Sequence, residues 1–155
     1  MSPSKPSLDL AKCAEAATNC ACFNFRKASR AVTQLFDDAL QPTGLRSTQL
    51  VILIAAAVFD SAAVSRLARE LVMDRSTLTR NLRPLERRGL LELVPGKDVR
   101  TRLVVLTPSG KQQLAEALPI WEAAQQRFQE QLGQARWEQL QQSLAATVQV
   151  ALSDR

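Results

Sequence analysis

The chain has 155 residues, 46% of them hydrophobic, which fits one domain, with or without an oligomerisation extension, and excludes a disordered protein. It holds no histidine, so the commonest general base and metal ligand is missing, and Ser-His-Asp and Cys-His catalysis within the chain are ruled out. The net charge of +5 is unevenly spread: residues 61–111 carry 11 Lys and Arg against 5 Asp and Glu, whereas residues 112–155 carry 3 against 5.

That concentration suits a surface facing phosphates, although a solvated helix face would also carry it. The N-terminus has no charged start followed by an apolar signal run. The apolar stretch Leu50–Phe59 covers ten residues, about half of what spans a bilayer. The chain is read as soluble and cytoplasmic, without a membrane partner. Three cysteines in such a chain do not suggest a disulfide framework.

In chain order, Met1–Ser7 reads as a loose tail, with two prolines and one lysine. Leu8–Ala17 can be helical, and Thr18-Asn19 either interrupts that helix or caps the next. From Cys20 to Leu40, the positions Cys22, Phe25, Val32, Phe36 and Leu40 recur at helical steps and form one core-facing stripe. Pro42 and Gly44 end it. Ser47 is the expected N-cap of a helix from Thr48 to about Val58, apolar nearly all round and therefore central and buried. Asp60–Ala63 is a short connection that could add a strand.

Val64–Val72 and Arg75–Arg88 then form a helix-turn-helix. In the first helix Leu67, Ala68 and Leu71 face inward. Asp74 caps the second helix, in which Leu78, Leu82 and Leu85 face inward and Gly89 is the stop. Pro84 inside it removes one backbone bond, to the carbonyl of Arg80, and is read as tolerated. Leu90–Val94 and Arg102–Leu106 read as two strands joined by Pro95–Thr101. Ser109 opens a long helix whose seam is Leu114, Leu118, Trp121, Gln125, Phe128 and Leu132, bent at Pro119 and broken at Gly133. Arg136–Leu152 gives a last helix with Trp137, Leu140, Leu144 and Val148 on one face.

The fold class is therefore mainly α with a small β-hairpin wing: a winged helix-turn-helix (residues 45–110) between N-terminal (1–44) and C-terminal (111–155) dimerisation helices. Those flanking helices have more apolar surface than a small winged helix can cover. An intertwined homodimer follows, the alternative being a monomer that folds them onto itself.

The second helix of the helix-turn-helix carries Arg75, Ser76, Thr77, Thr79, Arg80 and Arg83 on its outer side, and these are the candidate DNA contacts. Arginine reads guanine O6 and N7 with two bonds, so Arg80 and Arg75 are assigned to the major groove and the hydroxyls mostly to phosphate. Lys97, Arg100 and Arg102 form the wing. Asp98 suits DNA poorly and is read as the anchor of a nearby arginine.

Cys13, Cys20 and Cys22 are redox candidates. If one helix held them, Cys22 would share the core face with Phe25, and Cys20 would lie about 200° away. Cys13 and Cys20 would stand about 10 Å apart, too far for a bridge within that helix, leaving a bridge between subunits open. Lys12, Arg26 and Lys27 are placed to lower a thiol pKa. A plain packing role and a soft-metal site of three thiolates are the other readings. No metal or other cofactor is expected. A winged helix that binds protein is the competing module, but its face would replace the arginines with aromatics. An enzyme is disfavoured by the missing histidine, phosphate loop and paired carboxylates.

In order and spacing, several motifs resemble the MarR family of bacterial winged-helix regulators. They are Gln49 and Leu53 after Leu40-x-Pro42; Ser76-x-x-Thr79-Arg80-x-Leu82; Leu85-Glu86; Arg88-Gly89-Leu90; Asp98-x-Arg100; and Leu106-Thr107-x-x-Gly110. The resemblance covers nearly the whole chain. It implies a mainly α, roughly triangular dimer that binds a pseudo-palindromic promoter site in double-stranded DNA, most often as a repressor. It puts the family's wing arginine at Arg100, the minor-groove candidate. It further implies release by a small, often phenolic or aromatic effector in a crevice to which Phe23, Arg26, Arg30 and Leu53 are assigned by expected position. Other members respond to cysteine oxidation or to metal. Peroxide-sensing members pair a reactive N-terminal cysteine with tyrosines, and this chain has no tyrosine.

Overall fold

The computed structural model describes residues 7–98 and 100–153, and among these residues seven α-helices and three short strands follow one another. The expected tail Met1–Ser7 lies, Ser7 apart, outside the described residues. Helix α1 (Leu10–Asn19) starts where the Asp9 carboxylate accepts the N–H bonds of Ala11 and Lys12, satisfying donors that a first turn leaves free. It stops at Cys20, which is extended (φ −69°, ψ 115°), and α2 runs Ala21–Leu40. Asn24 Nδ2 donates to the carbonyl of Thr18 at 2.8 Å, so a side chain takes the last-turn acceptor and the break is satisfied. The interruption expected at Thr18-Asn19 thus falls at Cys20, which caps α2 instead of starting it, and the one-helix geometry of the three cysteines does not apply.

Only the last turns of α2 reach the core, through Phe36 and Leu40. Cys22, Phe25 and Val32, expected on a core face, are exposed in the single chain. The stripe is amphipathic as read, but most of it has no core of this chain beneath it. A 3₁₀ turn (Gln41–Thr43) and Gly44 at φ +67° lead into α3 (Ser47–Phe59). Arg46, not Ser47, holds the cap position, with its N–H bonded to Gln49 Oε1 at 3.1 Å. Ser47 is the first helical residue, because its N–H and hydroxyl are both taken by Asp37 of α2. Helix α3 buries Leu50, Ile52, Leu53, Ala55 and Ala56, but Val51 and Val58 are exposed, so it is covered on one side rather than all round.

Strand β1 (Ala62–Ala63) realises the strand suspected before α4. Helix α4 (Val64–Glu70) is two residues shorter than expected. It ends in a Schellman motif: Met73 N–H reaches the carbonyl of Ala68 (2.8 Å), Val72 N–H that of Arg69 (3.1 Å), and Val72 takes φ +51°. The same motif closes α5 (Arg75–Arg87), where Leu90 N–H meets the carbonyl of Leu85 and Gly89 N–H that of Glu86. There a glycine at φ +69° supplies the left-handed residue. Helix α5 passes through Pro84 unbroken.

Strands β2 (Leu91–Pro95) and β3 (Arg102–Leu106) pair antiparallel, with Leu93 opposite Val104. Strand β1 joins the other edge of β3, Ala62 opposite Val104, giving the order β1-β3-β2. β2 thus begins one residue later than expected. The core gathers Leu40, Leu50, Ile52, Leu53, Leu67, Leu78, Leu82, Leu85, Leu91 and Val104 between α3, α4, α5 and this sheet.

Helix α6 (Pro108–Leu132) begins one residue before the expected Ser109. Thr107 caps it, its hydroxyl accepting from Gly110 N–H (3.0 Å) and donating to the carbonyl of Gly89 (2.6 Å), with Pro108 at the favoured first position. The helix runs on through Pro119. Gly133 at φ +88° separates it from α7 (Gln134–Leu152), which starts two residues earlier than expected. Phe128 and Trp137 pack edge to face, 6.1 Å between ring centres, joining the two helices. Helix α7 buries none of its residues, and Leu144 and Val148 are exposed. Among the described residues no single helix is long and apolar enough to cross a membrane.

Candidate nucleic-acid interface

The interface is built on the start of α5. The Asp74 carboxylate accepts three bonds: Oδ1 from Thr77 N–H (2.8 Å) and Ser76 Oγ (2.5 Å), Oδ2 from Thr77 Oγ1 (2.5 Å). The hydroxyl of Ser76 first, then the hydroxyl and N–H of Thr77, hold this carboxyl far below the ordinary carboxylate range. Asp74 is therefore ionised at neutral pH and sits against the positive end of the helix dipole. Thr79 Oγ1 donates to the carbonyl of Arg75 (2.7 Å), and Arg80 Nη2 donates to Thr77 Oγ1 (3.2 Å).

These bonds alter the weight of the sequence-based candidates. The hydroxyl protons of Ser76, Thr77 and Thr79 are all committed inside the helix, and Thr77 and Thr79 are half-buried. A phosphate oxygen only accepts, so these hydroxyls have no proton to offer it without breaking the cap. Arg75, Arg80 and Arg83 are exposed. The Arg80 bond to Thr77 limits how that guanidinium can point, a useful constraint for a side chain with many rotamers.

The wing turn between β2 and β3 is closed by Gly96 N–H to the carbonyl of Thr101 (2.8 Å) and Thr101 N–H to the carbonyl of Asp98 (2.8 Å). Asp98 Oδ1 accepts the backbone N–H of Arg100 at 3.1 Å. Asp98 thus anchors an arginine of the wing, but through the backbone N–H of Arg100 rather than its guanidinium, and among the described residues it forms no ion pair. The reason is reach, since a two-residue separation puts an aspartate next to a backbone amide. Lys97, Arg100 and Arg102 are left exposed.

The tertiary structure brings helix and wing together. Arg75, Arg100 and Arg102 line one small depression of about 70 Å³ with Ala63, Val64, Ser65 and Thr101. Three guanidiniums with no carboxylate among the lining residues form an anion-attracting surface spanning α4, α5 and the wing. Ser65, in the first turn of α4, was not singled out from the sequence; the only signal for it was its place at the start of the helix-turn-helix.

The other assigned residues are more dispersed. Leu53 is wholly buried in the core and lines no described groove, so its assignment to a crevice is corrected; the inner face of α3 claims it. Phe23 is exposed and lines none of the described grooves either. Arg30 lines a groove of about 800 Å³ with Ser29, Thr33, Asp37 and Arg46, and it shares a shallower one of about 380 Å³ with Phe25, Arg26 and Ser29. Cys13 lies on α1, Cys20 at the break and Cys22 on α2, all exposed. Among the described residues no three Cys, His, Asp or Glu side chains converge.

A helix-turn-helix, a wing and a joint arginine surface define a winged-helix DNA-binding protein. Comparison with known proteins narrows that class. The model of the MarR family matches residues 45–98. The chain is 35% identical to the Mycobacterium tuberculosis transcriptional regulator MosR, solved in complex with DNA, at a TM-score of 0.80 over 88% of this chain and 99% of that one. A probable transcriptional regulator from Pseudomonas aeruginosa is 25% identical, with a TM-score of 0.76 over 84% of this chain and 98% of that one. YwoH of Bacillus subtilis, an uncharacterised HTH-type transcriptional regulator, is 27% identical over 90 residues, 58% of this chain and 66% of that protein. The chain belongs to the MarR family and is a DNA-binding transcriptional regulator rather than an enzyme.

Proposed function

We propose that this regulator is a homodimeric repressor that binds a pseudo-palindromic promoter site and is released by a small-molecule effector. The observation that carries the reading is the joint surface of Arg75, Arg100 and Arg102, which couples a recognition helix to a wing. In this reading α5 enters the major groove, with Arg75, Arg80 and Arg83 near the bases and Ser76, Thr77 and Thr79 shaping the helix start. The wing contributes Lys97, Arg100 and Arg102, with Arg100 in the minor groove.

The dimer rests on apolar side chains of the outer helices that this chain leaves exposed: Phe23, Phe25 and Val32 on α2, and Leu144, Val148 and Val150 on α7. Residues 1–44 and 111–155 are then the dimerisation parts around a DNA-binding part of 45–110. The groove lined by Arg30 and Arg46, with Asp37 and Asp38 beside them, is the place proposed for a small aromatic or phenolic effector.

A second mode of release, oxidation, is favoured by one observation: Cys20 sits at the break between α1 and α2, and all three thiols are exposed. A bond formed at that break would alter how α1 continues into α2.

Fluorescence anisotropy on the protein's own upstream intergenic DNA and on a scrambled duplex, at physiological salt, tests the reading. Specific binding, with dimers by sedimentation, supports it. Release by small aromatic or phenolic compounds would then favour the small effector, and release by peroxide with rescue by thiol the cysteine switch. Equal binding to both duplexes counts against a promoter-proximal operator and moves weight to the protein-binding module.

A further inference from the structure

The link between α2 and α3, Gln41–Arg46, is held by side chains from three different elements. Arg88, at the C-terminal end of α5, donates from Nη1 to the carbonyl of Gly44 at 3.0 Å. Gln113 of α6 donates from Nε2 to the carbonyl of Thr43 at 3.3 Å. Asp37 of α2 accepts at Oδ1 both the N–H (2.6 Å) and the hydroxyl (2.7 Å) of Ser47, the first residue of α3, with Arg46 Nη1 3.9 Å from its other oxygen.

Gly44, at φ +67°, gives this link a conformation that other residues adopt at a cost. Asp37 and Ser47 are part-buried, so their bonds face less competition from water than surface bonds do. The link has no regular structure beyond one 3₁₀ turn, so these bonds act on the path of α2 relative to α5 together with the packing of Leu40 and Leu45 and the contacts of α2 with α3 and α6.

We propose that Arg88 and Asp37 are positioning residues for operator recognition. They fix the angle between α2 and the recognition helix, and thereby the half-site spacing that the dimer accepts. The inference rests on the dimeric reading above: α2 carries part of the exposed apolar surface assigned to the dimer, and α5 carries the base-reading arginines. One added base pair shifts a half-site by about 3.4 Å and rotates it by about 35°. A dimer whose α2–α5 angle is fixed must reject that change, whereas one with a slack link tolerates it. Neither residue needs to touch DNA.

The test uses the full-length protein and duplexes carrying its selected operator with the spacer unchanged, lengthened or shortened by one base pair. Wild type is expected to prefer one spacing by at least about tenfold. Arg88→Ala and Asp37→Ala are expected to keep the preference for the half-site sequence while the spacing preference falls below about threefold. Arg88→Lys, which retains a donor, is expected to restore part of it. The slope of affinity against salt is expected to be unchanged in Arg88→Ala.

An unchanged spacing preference in both alanine variants overturns the proposal and leaves the dimeric reading standing. A salt slope reduced by about one in Arg88→Ala identifies a phosphate contact and overturns the positioning role. A wild-type protein that is monomeric in sedimentation and indifferent to spacing overturns the dimeric reading and this inference with it. Should an alanine variant lose its cooperative thermal transition, Ser47→Ala, which removes a single donor to Asp37, carries the same test.

Discussion

Asp74 shows how one side chain organises the recognition helix. Its three bonds cap α5 and engage the hydroxyls of Ser76 and Thr77, and Thr77 in turn holds Arg80. Asp74→Ala should lower the melting temperature and weaken operator binding, while Asp74→Asn, which keeps an acceptor, should lose less of both. Its carboxyl has a folded pKa below the ordinary 3.8, so the stability it contributes is complete above that value and is lost only as pH falls toward the lower folded value. The melting-temperature gap between wild type and Asp74→Ala should therefore be flat from about pH 8 to about pH 5 and close only in stronger acid. A gap that closes near neutrality would contradict this assignment. In the proposed reading the arginines and lysine of the site divide by role. Arg80→Ala should cost about 1–3 kcal/mol of operator binding and relax sequence preference, whereas Lys97→Ala should weaken all sequences alike and reduce the salt slope by about one. Anisotropy titrations at several salt concentrations separate the two.

At the scale of elements, the two Schellman motifs explain both a success and a failure of pattern reading. Gly89 announced the end of α5, because glycine is the usual left-handed residue at that position. Val72 fills the same position at the end of α4, where a β-branched side chain gives no such signal, so the pattern runs the helix two residues too long. That conformation costs a β-branched residue about 1–2 kcal/mol. Val72 is more than half exposed, so Val72→Asn should stabilise the protein by about 0.5–1 kcal/mol, read as a higher melting temperature. The junction of α5, β2 and α6 has the opposite character. A Cβ on Gly110 would stand 1.8 Å from the carbonyl oxygen of Leu90, which is backbone and cannot step aside. Gly110→Ala should destabilise by about 1–3 kcal/mol or more in chemical denaturation, through displacement of α6 from the sheet.

For the whole molecule, the outer helices and the winged helix behave differently. The core lies mainly within the winged helix and takes in Leu40 of α2 and Leu114 and Ala117 of α6, whereas α7 buries nothing and α2 reaches the core only at its end. Leu144→Glu with Val148→Glu should convert a dimer to monomers in sedimentation, keep the helical circular dichroism, and weaken binding to a two-half-site operator far more than to a single half-site. Retention of the dimer would show that α7 is not part of the interface.

The sequence alone determined the features that depend on local chemistry and periodicity. The Asp74 cap, the inward Leu78, Leu82 and Leu85, the wing strand Arg102–Leu106 and the surplus of arginine between residues 61 and 111 were all legible, because each is written in neighbouring residues. Tertiary structure decided what depends on residues far apart in the chain. It drew Arg75 together with Arg100 and Arg102, placed Leu53 in the core rather than in a crevice, and bonded Arg88 to Gly44 and Asp37 to Ser47. Periodicity fixes which face of a helix is apolar; only the packed chain fixes which of those faces finds a core.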